Sequence, residues 1–284
     1  MALGNLAAIA GDRRDWTRSI ELAEQSLGLF ELLGAQTDIA RVSYNLGVLH
    51  RRRGDLLSAE LRIEQAANAF ASQGAVLMET RALTTLGAVM VGMGRFEELD
   101  PIIARIDALE IEDPAELSVV NAVLGERALL TADLTSARQH FESARDLMAM
   151  IGADSHLLVS RLNLARLNLA ENRLVSAEQE ARDLIFAFGE IRVVNRQIDA
   201  MLVLVGALIG QNRPEDAAEA LSQAEALLAD SPDAEQSLKL ALLRSQISEQ
   251  HLAIERLQWV AHVAGTQGYL PLMNEARSRL EQLD

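Results

Sequence analysis

Residues able to do chemistry are few and scattered along this chain. The five histidines stand at 50, 140, 156, 251 and 262. His251 and His262 can share one face of a helix. As metal ligands they would need a carboxylate, and Glu255 is the nearest candidate. A metal site demands three or four such groups in fixed geometry, so this set reads as two surface histidines. Glu97, Glu98 and Asp100 form one acidic cluster, and Glu178 and Glu180 form another. An acid/base pair works only where burial or a neighbouring charge shifts a pKa, and these spacings read as solvated helix faces. With no cysteine there is neither thiolate chemistry nor a disulfide. The phosphate-cradling GxxxxGK[ST] loop, the dinucleotide GxGxxG turn and the zinc-binding HExxH pair are all missing. The reading is a non-enzyme with no catalytic residue, no metal and no cofactor.

What remains is binding, and the elements that position binding side chains come from composition and period. Of the 284 residues 49% are apolar and only 4% aromatic, with Ala and Leu prominent and five prolines. Ala and Leu are strong helix formers, so an all-α chain with closely packed helices is expected. The net charge of −15 opposes nucleic-acid binding, which needs clustered cations against phosphates. The one basic run, Arg51-Arg52-Arg53, precedes Gly54 and suits a helix C-terminus. The start, Met1-Ala-Leu-Gly-Asn-Leu, lacks the charged and apolar regions of a signal peptide. No run approaches eighteen uninterrupted apolar residues; the longest, Met201 to Ile209, is too short to span a bilayer. A cytoplasmic location, with no membrane and no nucleic-acid partner, is the expectation.

The organisation is a repeat of about forty residues. Ala59, Leu99, Ala137, Ala177, Ala217 and Leu257 form a column with steps of 40, 38, 40, 40 and 40. Apolar columns follow at plus four (Ile63, Ile103, Phe141, Ala181, Leu221, Ala261) and plus seven (Ala66, Ile106, Ala144, Leu184, Ala224, Ala264). Leu46, Leu86, Leu124, Leu164 and Leu204 stand thirteen before, and four of them precede a small residue: Gly47, Gly87, Gly125 and Ala165. Each unit therefore reads as two helices, the second carrying an i, i+4, i+7 stripe. Turns fall at Gly11-Asp12, Gly54-Asp55, Gly94-Arg95, Ala132-Asp133, Asn172-Arg173 and Asn212-Arg213-Pro214 within units, and at Gly34, Gly74, Gly152 and Gly189 between them. A lone pair leaves its stripe exposed, and stacking the next pair covers it.

Leu-Gly, a Gly-Asp turn and then Ala-x3-apolar-x2-Ala resembles the tetratricopeptide repeat. It is clearest in Leu46-Gly47, Gly54-Asp55, Ala59, Ile63 and Ala66. The units are longer than the usual 34 residues, and the usual first-helix aromatic is replaced by His50, Met90, Ala128 and Asn168. The length resembles the C-terminal sensor region of bacterial transcription activators similar to the maltose regulator. The resemblance implies an α-solenoid, a right-handed superhelix of helix pairs. About seven pairs are expected over 1–36, 37–76, 77–114, 115–154, 155–193, 194–232 and 233–268, with a capping helix over 269–284 and no linker. Repeat 7 is degenerate, with Gln250-His251 at its turn. The abrupt start at Leu3-Gly4 favours a piece of a longer protein.

The same resemblance implies a concave groove lined by first helices, with a protein or peptide as partner and a role in a bacterial regulator. Asn5, Arg41, Asn45, Arg81, Thr85, Asn163 and Arg166 fall at groove positions. Asn5, Asn45 and Arg81 occupy three of the five positions at which such domains grip a peptide's C-terminal carboxylate; the other two hold Met1 and Thr85. An acidic or free C-terminal group is thus the expected ligand, held on a polar, basic floor in the early groove. The later groove is expected to be more apolar, through Leu162, Leu169, Leu202 and Ile209. Two other readings stay open: a small-molecule receptor in that later half, and a self-assembling array that docks through an uncapped first repeat.

Overall fold

A computed structural model describes Ala10 and residues 15–230 and 232–283. Among them are fourteen α-helices and no strand. The helices are α1 (Trp16–Leu33), α2 (Gln36–Arg53), α3 (Leu56–Ser72), α4 (Val76–Met93), α5 (Leu99–Asp107), α6 (Pro114–Leu130), α7 (Leu134–Met150), α8 (Asp154–Ala170), α9 (Leu174–Glu190), α10 (Val194–Gly210), α11 (Pro214–Ala229), α12 (Ala234–Ser245), α13 (Gln250–Gln267) and α14 (Leu270–Glu281). They pack as successive pairs, the arrangement of a tetratricopeptide-like helical solenoid.

The turns explain the pairing. Gly54, Gly94, Ala132, Asn172 and Asn212 end the first helices with φ between +58° and +90°. Asp55 and Asp133 then cap the second helices, each accepting a hydrogen bond from the backbone N–H three residues on, at 3.1 Å. Asp15 caps α1 in the same way. Between pairs the left-handed residues are Gly34, Gly74, Glu110, Gly152 and Arg192. Gly189, expected at this last turn, instead lies inside α9. The 40-residue register from Gly152 selects Arg192. The expected turn at Gln250-His251 also falls earlier, over 246–249, because α12 is short and α13 already begins at Gln250.

The described residues fall into two compact units, one ending at Ile111 and including Gln267–Tyr269, the other holding Glu112–Thr266 and the residues from Leu270 on. The break follows the third pair, whose second helix is cut to nine residues between the 3-10 turn Phe96–Glu98 and the left-handed Glu110.

In the first unit, Ile20, Leu22, Ala23, Leu27, Val42 and Leu46 build a core across α1 and α2. Helix α4 has the length and mean hydropathy of a membrane-crossing segment, but 61% of it is buried among its neighbours. Its apolar run is interrupted by buried Glu79, which accepts a hydrogen bond from Arg105 Nε at 2.8 Å. Arg105 also donates to Asn68 at 2.9 Å, tying α5 to α3 and α4.

In the second unit, Ala177, Ala181, Leu184, Phe188, Val205, Leu208, Ala217 and Leu221 form one continuous core over α9, α10 and α11. Every member of the column that starts with Ala59 is buried to 1% exposure or less, so the repeat period is the period of the packing.

Candidate functional site

The residues expected in the groove divide between the two units. Asn5 lies outside the described residues. Arg41 and Asn45 are exposed on α2, one turn apart. Arg81, also exposed, and Thr85 are one turn apart on α4. The Tyr44 hydroxyl and Thr85 Oγ1 are 3.1 Å apart and hydrogen-bonded, joining these two first helices at that level. Thr85 also donates to the Arg81 carbonyl at 2.8 Å, so its hydroxyl is engaged within the protein. Arg41 pairs with Asp38 on its own helix at 2.7 Å, an exposed i, i+3 contact of small energetic weight.

Asn163 and Arg166 sit half-buried on α8 in the second unit. Of the apolar residues expected in the later groove, Leu162 is 1% exposed, and Leu169, Leu202 and Ile209 are partly buried against the core. The first helices also carry a ladder of opposite charges. Arg166 Nη1 and Nη2 donate to the two carboxylate oxygens of Glu126 on α6 at 2.5 and 2.6 Å. Arg196 pairs with Asp199 on α10 at 3.1 Å. Gln236 Nε2 donates to both Asp199 Oδ1 and the Asn195 carbonyl at 2.7 Å. Lys239 donates to Glu235 at 2.5 Å.

Burial and pairing compete in this ladder. Burial pushes the Glu126 carboxyl up, but the adjacent Arg166 charge and its two hydrogen bonds outweigh that and hold it below the ordinary value. Burial acts to lower Arg166 and Lys239, and the carboxylates of Glu126 and Glu235 reverse it, so both stay cationic more firmly than in water. The bidentate fork of Arg on carboxylate is the strong form of such a contact. Glu126 and Arg166 both fall at groove positions in the sequence, one repeat apart in identical register; their pairing is what the structure adds.

Among the described residues, no three His, Asp or Glu side chains gather as metal ligands. His251 and Glu249 are 3.7 Å apart and both exposed, a surface pair without a third ligand. Glu178, read as a solvated acid, proves to be a hub, accepting from Gln211 at 2.8 Å, Arg182 at 2.8 Å and Arg213 at 2.9 Å. It ties α9 to the turn before α11.

Comparison with known proteins agrees with this architecture. Residues 1–72 match the family model of the tetratricopeptide repeat. No curated protein matches the chain. Aspartyl phosphate phosphatase F from Bacillus subtilis is structurally similar with a TM-score of 0.58 at 11% identity, over 94% of this chain and 74% of that one. A tetratricopeptide repeat protein from Parabacteroides merdae gives a TM-score of 0.53 at 14% identity, over 97% and 98% of the two chains. At such identities the likeness is one of fold alone. With its helix pairs, Leu-Gly sequence pairs and Asp-capped turns, the chain is a tetratricopeptide-like helical-repeat protein, matching the repeat family itself over residues 1–72.

Proposed function

We propose that this chain is a non-catalytic scaffold that binds a protein or peptide through the first-helix surface of its first unit. The observation that carries this reading is the Tyr44–Thr85 hydrogen bond, which fixes α2 beside α4 with Arg41, Asn45 and Arg81 exposed on them. An amide and two guanidinium groups on a braced surface suit an extended segment with an anionic end. The amide serves the peptide backbone, and guanidinium serves a carboxylate. The chain is acidic overall, so a local cationic surface focuses attraction there. A place as the sensor or regulatory part of a bacterial regulator, in the cytoplasm, fits a module of this kind. The repeat boundaries given above define its units.

The test is capture of partners from the source cell, followed by titration of the recovered segment. Arg81→Ala weakens binding by about 1.5–3 kcal/mol, the scale of a hydrogen bond to a charged group. Arg18→Ala, on a second helix and paired with Glu21, leaves it unchanged. Unaltered binding by both Arg41→Ala and Arg81→Ala would refute the site. If Asn163→Ala abolished binding instead, the ladder of the second unit would be the contact surface.

A further inference from the structure

The second unit holds an open cleft of about 320 Å³ between α7, α8 and α9, part polar and part apolar, that the groove reading does not use. Arg138 and Arg145 stand two turns apart on α7, and Arg161 faces them from α8. Glu142 and Glu180 complete the charged lining, and Glu171 and Asp146 pair with Arg138 and Arg145 from beside it.

The three arginines differ in how far they are used. Arg138 is saturated: its Nη2 donates to Glu171 at 2.5 Å and to Asn168 at 3.4 Å, its Nη1 to Glu142 at 3.3 Å, and its Nε to Glu171. Among the described residues Arg161 has one hydrogen bond, from Nε to Glu180 at 2.7 Å, with Asp183 a second negative charge nearby. That bond orients the guanidinium and leaves both terminal NH2 groups, the end-on fork, without a hydrogen-bond partner among the described residues. Among the described residues Arg145 bonds only its chain neighbour Asp146, through Nε at 2.8 Å and Nη2 at 2.7 Å, which leaves Nη1 open. A guanidinium fork already oriented by a carboxylate loses less freedom on binding than a mobile one.

We propose that this cleft is an oxyanion site that takes a carboxylate or phosphate group, bound bidentately by the terminal nitrogens of Arg161 and steadied by Arg145. Arg138, neutralised by Glu171 and Glu142, serves as a wall. The neutral polar side chain of Asn168 and the carboxylates around the three arginines favour a single anionic group over a polyanion. The site is separate from the surface of α2 and α4, so it stands or falls independently of the scaffold reading.

The experiment is titration of the full chain, labelled with 15N, with inorganic phosphate and separately with an N-acetylated glutamate amide at constant ionic strength. Chloride at matched ionic strength is the reference. The side-chain Nε–H signals of Arg161 and Arg145 report binding. Both should shift saturably with at least one anion, while those of Arg18 and Arg182 stay still. Phosphate alone acting assigns a phosphate site, and the glutamate amide alone assigns a carboxylate site. Arg145→Gln, which breaks only a contact to an adjacent residue, should weaken binding about tenfold with the helical signal intact. Arg161→Gln should abolish it. Absence of a saturable shift with either anion overturns the proposal. So does an unchanged affinity in Arg145→Gln together with a shift reproduced by chloride.

Discussion

Gly47 of α2 lies against Ile63 of α3 so closely that a Cβ on Gly47 would stand 2.4 Å from Ile63 Cγ1 and 3.1 Å from the Ala59 carbonyl. Gly125 has the same relation to Phe141, at 2.4 Å from Cε1. These contacts set how near two paired helices come. Gly47→Ala and Gly125→Ala should each cost about 1–3 kcal/mol by overpacking. Gly28, inside α1, has nothing within 4 Å of a built Cβ, so Gly28→Ala should stabilise by about 0.5–1 kcal/mol through helix propensity. Denaturant melts of the three variants decide the matter, and a loss of stability in Gly28→Ala would contradict the account.

Ala132 and Arg192 hold φ of +61° and +58°, where other turns of the chain have glycine. A side chain in this region costs roughly 1–2 kcal/mol, partly offset by the greater freedom of glycine in the unfolded chain. Ala132→Gly and Arg192→Gly should therefore raise stability by about 0.5–1 kcal/mol. Gly152→Ala, at φ +64°, should lower it, and the three midpoints measured side by side test the sign.

The Glu126–Arg166 fork should matter for stability and for its pH dependence. Glu126 titrates below its ordinary value of 4.5 in the folded chain. Its contribution is thus complete above pH 4.5 and is lost as pH falls through the lower folded value. Glu126→Gln should cost about 1–3 kcal/mol at neutral pH and flatten the acid limb of the stability curve. Replacing both partners by Leu and Met should be closer to neutral. A double loss equal to the sum of the two single losses would show that the residues act separately.

His50 is buried beside Asp55, with Nδ1 3.3 Å from Oδ2. Burial lowers its pKa, and the pull of Asp55 only partly opposes this. The folded chain therefore takes up this proton less readily than the unfolded chain. Stability is full above pH 6.5 and declines as pH falls from there towards the folded value. His50→Gln should remove part of that decline, as read from urea midpoints above and below pH 6.5. An unchanged slope would place the effect elsewhere.

Much of the fold was legible in the sequence because stacking pairs forces the same side chain into the same contact every forty residues. The Ala59 column, the glycines at 47 and 125 and the Gly-Asp turns each follow from that single constraint, and all are local or nearest-neighbour in range. Tertiary structure decided what depends on where charged side chains come to rest. Leu162 and Arg166 are one turn apart on α8, yet one is sealed in the core and the other reaches Glu126 forty residues away. Periodicity identifies the helix and its inward stripe but does not say which long polar side chain finds a partner on the next helix. Likewise Arg138, Arg145 and Arg161 converge only because α7 and α8 fold back on each other, and Glu180 from α9 then fixes the fork of Arg161. The repeat therefore set the frame, and non-local pairing of charges within it set which groups are spent on the protein and which stay open to a ligand.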